Sequence, residues 1–302
     1  MSPFNGDSIV KQGMTRWAVV AIVIATWFGV PSSAQAQATQ YVRFQQGGAS
    51  AWGVLEGETI QRLSEAPFLG GTRTGQSVPL SSVTLLPPAD PLLAVVVNVN
   101  YPSGVTGTAR TIPTIITLPP RSMVGHGSPV MRPVEVENFR AEPTAAVVIG
   151  RTATNVSAAE AGAYIFGVAA GVDVTAMDWR PAGSQWTRAK GTDTFKPLGP
   201  VVVTGVDYNN LTIQGRHNGT ALPPVRTADM IWDFHELVSY VSRYMTLNPG
   251  DVIYAGTAGQ DFTVALAAGD IFEVEVAGVG TLRNPVQAAP PVAATLPPPF
   301  RP

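Results

Sequence analysis

The sequence predicts a mainly β (α+β) protein with few helices. Three observations lead there: short β-branched runs recur along most of the chain, Gly, Pro, Asn and Asp punctuate them, and only two stretches carry apolar residues at helical spacing. Near-continuous apolar runs such as Leu92 to Val97 predict strands covered on both faces.

Residues 1–38 read as a signal peptide ahead of the fold. Lys11 and Arg16 form a positive n-region, Trp17 to Val30 is an apolar run short for a bilayer span, and Pro31 to Ala38 offers Ala-x-Ala cleavage sites. That pattern predicts an exported protein, periplasmic or secreted, with no stable membrane insertion after cleavage. Residues 39–86 carry "YVRF", "AWGVL", "TIQRL" and "SVTLL" around the turn signal Glu56-Gly57, and predict a small β-rich N-terminal domain. Pro87 to Pro91 is the linker. Across residues 87–286 the strands lengthen into "LLAVVVNV", "AAVVIG", "VAAGVDV", "PVVVTG", "LTIQGR", "DVIYAG" and "IFEVEVAG". Two helices interrupt them. Ser157 and Glu160 form a capping box opening "AAEAGAYIF". Ile231, Phe234, Leu237, Val238, Val241, Tyr244 and Met245 recur at helical spacing until Asn248-Pro-Gly-Asp251 stops the chain. Residues 287–302, rich in Pro and Ala and almost uncharged, predict a disordered tail.

Charge is sparse, at 13% of residues with a net of -2, against about 25% in an ordinary soluble protein. No broad basic field exists to gather nucleic acid, so that class of partner is set aside. Absence of cysteine removes disulfides, thiolate nucleophiles and zinc-cysteine sites. The sequence has no Gly-x-Ser-x-Gly elbow, phosphate-binding loop or His-Glu-x-x-His signature, and His126, His217 and His235 are scattered. His126 reads as a loop residue and His235 as a packing or surface residue of a helix. In so uncharged a chain, "QWTRAKGTDTFKPLGP" stands out: it brings Arg188, Lys190, Asp193 and Lys196 together ahead of a rigid Pro-Leu-Gly-Pro.

That run belongs to an ordered series: "FRAEPTAAVVIGR", "IFGVAAGVDVTAMD", "QWTRAKGTDTFKPLGPVVVT", "RTADMIWDFHELVSYVSRYMTLNPGDVIYAGT" and "VEVAGVGTLRNPV". Together they resemble the catalytic C-terminal domain of the fumarylacetoacetate hydrolase family, from about Leu86 to Val286. Residues 41–85 resemble the short N-terminal domain of many bacterial members. The resemblance implies a mixed β-roll or sandwich enclosing a pocket, assembled as a homodimer, that holds Mg²⁺ or Mn²⁺ and a small 2-oxo or enol carboxylate. A hard cation with oxygen ligands can hold both oxygens of such an acid and stabilise the enolate formed on cleavage, isomerisation or decarboxylation.

Carried over residue by residue, the resemblance assigns Glu142 and Asp173 as metal ligands and Lys190 as the catalytic lysine. It assigns Asn100, Tyr101 and Thr257 to substrate binding, and the charge of Arg180 makes that residue a further substrate-binding candidate. Thr144 stands where the family has a further metal carboxylate. Gly104 and Gly107 stand where C–C hydrolases carry a water-activating His and Glu, Met177 replaces an arginine, Leu118 a lysine and Ala258 a proline. Scaffold motifs such as Pro197-Leu-Gly-Pro200, Asp229-Met-Ile231 and Pro249-Gly-Asp251 persist. Two readings stay open. One is a metal-dependent enzyme with altered chemistry, suited to isomerisation, tautomerisation or decarboxylation more than to water attack. The other is a non-catalytic small-carboxylate binding protein, with Arg180 and Lys190 pairing ligand carboxylates.

Overall fold

The computed structural model describes residues 38–102, 111–180, 186–256 and 262–291. Residues 1–37, which hold nearly all of the segment expected to be a signal peptide, lie outside the described residues, as do Gly104, Gly107, Thr257, Ala258 and most of the Pro-rich tail. Among the described residues no helix is long and apolar enough to cross a membrane.

The N-terminal segment supplies β1 (Thr39–Gln46), β2 (Ala49–Glu56), β3 (Thr59–Leu63), β4 (Arg73–Pro79) and β5 (Thr84–Leu86). There follow β6 (Ala94–Val97), β7 (Ile115–Leu118), β8 (Met123–Val124), β9 (Val130–Arg132), β10 (Phe139–Ile149), β11 (Ile165–Ala176) and β12 (Lys196–Thr204). The chain ends in β13 (Thr212–His217), β14 (Thr220–Ala221), β15 (Val225–Arg226), β16 (Val252–Tyr254), β17 (Val264–Ala265), β18 (Ile271–Val276) and β19 (Gly280–Ala288). The helices are α1 (Ala158–Ala161), α2 (Trp186–Gly191) and α3 (Phe234–Ser242). The protein is therefore mainly β with few helices, and its N-terminal portion is β-rich.

The larger sheet runs β4-β3-β2-β1-β12-β11-β10-β16-β6-β7, and the smaller runs β14-β13-β18-β19-β9. Because β1 pairs with β12, the N-terminal strands extend the sheet of the following region. Alternate residues of β10 and β11, including Ala145, Val147, Val172 and Val174, pack against Ile213, Phe272, Val274 and Leu282 of the smaller sheet. The intervening residues Ala146, Val148 and Ala169 face a second apolar layer with Val96, Ile116, Leu118, Leu198 and Tyr254. Both faces of the central strands are thus covered, and this is why their sequences read as unbroken apolar runs.

Both expected helices occur, but each is shorter than the sequence suggests, and the second opens at Phe234, three residues past the first periodic position, Ile231. Ser157 and Glu160 close their capping box, yet α1 spans only one turn before a short 3-10 turn and β11. Asp233 and Glu236 cap α3, whose buried face carries Phe234, Leu237, Val238 and Val241. The segment holding Lys190 forms a third helix, α2. No N-cap signal or long apolar period announces it, because it is short and held by tertiary contacts. A Cβ on Gly191 would lie 2.7 Å from Cδ of Pro119, so α2 ends pressed against the residue that follows β7. At the C-terminus β19 continues through Gln287 and Ala288, which pair with Met131 and Arg132 of β9.

Candidate active site

Register brings the two distant carboxylates together. In the antiparallel β10–β11 pair Glu142 lies directly opposite Asp173, Thr144 opposite Gly171, and Arg140 opposite Thr175. Side chains alternate, so Glu142, Thr144, Asp173 and Thr175 share the face of the second apolar layer, away from the smaller sheet. Like charges directly across a strand pair repel, and an apolar surround sharpens that repulsion. Two lysines offset it.

Lys190, on α2, donates from Nζ to Oδ2 of Asp173 at 2.5 Å and to Oγ1 of Thr175 at 2.7 Å. Its Nζ lies 3.6 Å from Oε2 of Glu142, an ion pair too long for a hydrogen bond. Lys196, the first residue of β12, is fully buried and places Nζ 2.7 Å from Oδ1 of Asp173. Its Nζ donates to the carbonyls of Val174 at 2.9 Å and Phe195 at 3.1 Å. The hydroxyl of Tyr254 donates to the Lys196 carbonyl at 3.2 Å. The Lys196–Asp173 contact lacks hydrogen-bond alignment, leaving Oδ1 of Asp173 without a bonded donor among the described residues.

Environment sets the four groups apart. Burial pushes the Glu142 carboxyl up to about 7, against Lys190, which pulls it down. Burial would also raise Asp173, but Lys190 and then Lys196 outweigh it and hold that carboxyl below the usual range. Lys190 is raised: burial opposes its charge, and Asp173 and Glu142 prevail. Burial brings Lys196 down to about 8 despite Asp173. Glu142 is the most accessible of the four, with 15% of its side chain exposed against 4% or less for the others. Its Oε2 is buried and has no hydrogen-bond partner among the described residues. With Glu142 ionised the quartet is neutral, and that carboxyl stands at its accessible edge.

The sequence-assigned residues divide. Glu142, Asp173 and Lys190 converge. Asn100 is fully buried and spent on backbone: Nδ2 donates to the carbonyls of Trp232 and Ala255, each at 2.9 Å, and Oδ1 accepts from the Trp232 amide at 3.0 Å. It ties the end of β6 to the segment before α3 and to the end of β16. The Tyr101 hydroxyl is buried with no partner among the described residues, and burial raises its ionisation well above the ordinary range. Arg180 is exposed and stacks over Trp186 of α2 at 4.9 Å, outside the quartet. Arg188 stacks over Trp179 at 4.4 Å, bracing α2 from another side. His235 bonds through Nε2 to the Tyr208 hydroxyl at 2.8 Å.

Sequence reasoning passed over Lys196 and Thr175. Lys196 had a signal: it is a charge within "FKPLGPVVV", an otherwise apolar strand, and a buried lysine there demands a partner.

A divalent cation does not fit these residues as they stand. Both oxygens of Asp173 already face ammonium groups. Thr144 turns its Oγ1 onto the carbonyls of Gly256 at 3.0 Å and Ala145 at 3.1 Å. Among the described residues no group of three or more His, Cys, Asp or Glu side chains is placed to hold a metal ion.

Two packed sheets thus carry a buried charged quartet whose most accessible member is Glu142. The chain belongs to the fumarylacetoacetate hydrolase family: the description "Fumarylacetoacetate (FAA) hydrolase C-terminal" matches residues 95–287, and "Rv2993c-like, N-terminal" matches residues 39–88. It is 37% identical over 235 residues to Protein Rv2993c of Mycobacterium tuberculosis, covering 76% of this chain and 88% of that one. It is 32% identical over 222 residues to the mitochondrial oxaloacetate tautomerase Fahd2a of Rattus norvegicus, covering 69% of this chain and 71% of that one. A crystal structure of 2-hydroxyhepta-2,4-diene-1,7-dioate isomerase from Mycobacterium marinum superposes with a TM-score of 0.77 at 36% identity, over 83% of this chain and 98% of that one. Maleylpyruvate hydrolase from Sphingobium, solved with manganese(II) and pyruvate, shares the fold at 23% identity and a TM-score of 0.68, with 83% of this chain and 100% of that one covered. Family members named for isomerisation, tautomerisation and hydrolysis thus share this scaffold.

Proposed function

We propose that the protein is an enzyme that moves a proton within a small 2-oxo or enol carboxylate, by tautomerisation or isomerisation, with decarboxylation as a related outcome. The observation that carries this reading is the pairing of Glu142 and Lys190. A carboxyl whose affinity for protons sits near neutrality can take a proton from the carbon next to a ketone and return it. An ammonium 3.6 Å away is placed to hold the oxygen on which negative charge develops.

In the enol-to-keto direction, protonated Glu142 delivers its proton to carbon. The enol hydroxyl loses its proton to solvent, and the resulting carboxylate is reprotonated from water. Lys190 keeps its proton throughout, because Asp173 and Glu142 stabilise its charge. No step runs through a metal ion. Hydrolysis of a C–C bond needs a group that activates water, and the positions the resemblance reserves for it hold Gly104 and Gly107. The tautomerase and isomerase names of the relatives support the same choice.

A spectrophotometric assay of enol oxaloacetate, run beside acylpyruvate cleavage, tests this. Wild type is expected to accelerate enol loss, and Glu142→Gln to lower the rate by about 10²-fold or more. Tight oxalate binding without turnover of any of these acids would instead make the protein a carboxylate binder. Export of the mature chain is part of the proposal, supported by the charge and apolar pattern of residues 11–38, and N-terminal sequencing of exported protein tests it. So is a homodimer, which sedimentation tests.

A further inference from the structure

Charge decides what else the quartet can accept. With Glu142 ionised, Glu142 and Asp173 contribute two negative charges, and Lys190 and Lys196 two positive ones. The site is balanced without any ion from solution. A divalent cation would leave an excess of two positive charges in a buried place, with the carboxylate expected at position 144 replaced by threonine. Uncompensated buried charge is among the most expensive arrangements a fold can hold.

Lys196 is also fixed. Its carbonyl is held by Tyr254, its Nζ by two backbone carbonyls, and its side chain is fully buried. It cannot swing out to free Oδ1 of Asp173 without abandoning those bonds. Thr144 withholds a negative charge that a divalent ion would need, and the Lys196 ammonium already faces Asp173.

We infer that the Lys196 ammonium stands in for a divalent cation as the counter-ion of Asp173, so that the protein binds its small carboxylate ligand directly, without a metal ion. The ligand class rests on the proposed function; the displacement of the metal does not. Lys196 is a positioning residue here, since it is sealed from solvent and acts through Asp173 on Lys190, the ammonium that meets the ligand.

The test is a titration of Mn²⁺ into the full chain, followed by loss of the free-ion paramagnetic resonance signal, with oxalate binding measured by calorimetry in EDTA and in Mn²⁺. Wild type is expected to leave Mn²⁺ free up to about 1 mM, and its oxalate affinity to differ by less than about twofold between the two conditions. Lys196→Ala combined with Thr144→Glu is expected to bind Mn²⁺ at least about tenfold more tightly than wild type. Stoichiometric Mn²⁺ binding by wild type, or oxalate binding that requires Mn²⁺, overturns the inference. A folded double variant, verified by circular dichroism, that gains no Mn²⁺ affinity overturns the assignment to Lys196. Should that variant fail to fold, the wild-type titration decides alone. None of these readings involves turnover, so loss of the proposed activity would leave them standing.

Discussion

Replacing Asp173 by Asn removes the charge on which both lysines converge. The substitution keeps the shape and one acceptor oxygen but leaves Lys190 and Lys196 buried, with Glu142 as the remaining acid 3.6 Å from one of them. Breaking a buried ion pair from one side costs about 3–5 kcal/mol, because the abandoned charge cannot reach water. For a domain of this size that corresponds to a fall in melting temperature of roughly 6–20 °C. Urea unfolding followed by tryptophan fluorescence measures it. Adding Lys196→Met to Asp173→Asn removes the surplus positive charge, and is expected to recover about 2 kcal/mol or more relative to the sum of the single changes. A loss below about 1 kcal/mol in the single variant, or simple additivity in the double, would refute the view that these groups are mutually dependent.

Two other substitutions separate structure from chemistry. Glu142 has its folded ionisation at about 7 against an ordinary 4.5. The folded state therefore holds that proton more tightly, and the stabilisation present below about pH 4.5 is lost as pH rises towards 7, by about 3 kcal/mol in all. Unfolding free energy of wild type is expected to fall across that window, and that of Glu142→Gln to be flatter; equal slopes would contradict the raised carboxyl. Asn100→Ala leaves a backbone amide and two carbonyls without their partner. It is expected to lower stability by about 2 kcal/mol or more, while folded protein keeps its affinity for oxalate. A selective loss of affinity would return Asn100 to the ligand.

Much of the site was legible before any coordinates, but unevenly. Glu142, Asp173 and Lys190 lay in motifs whose family pattern is specific, and all three meet. What brings them together is register: Glu142 faces Asp173 because β10 and β11 pair antiparallel, a long-range fact that no spacing encodes. Asn100 was assigned to the ligand by the family resemblance, yet its amide is consumed by backbone on two other segments. Helix α2 went unseen because one and a half turns carry no period. Lys196 was visible as a charge in an apolar strand; its meaning appeared only when β12 placed it on the face shared with Asp173. The capping box of α1 was more transparent because it is local, made by residues three positions apart.

The most direct measurement is exchange of the C3 hydrogens of 2-oxobutyrate with D₂O, followed by proton NMR in the presence of EDTA. If Glu142 relays protons beside Lys190 with no ion from solution, wild type exchanges those hydrogens well above the buffer rate and Glu142→Gln does so about 10²-fold more slowly. Exchange at the buffer rate, or exchange that appears only when Mn²⁺ replaces EDTA, would contradict it.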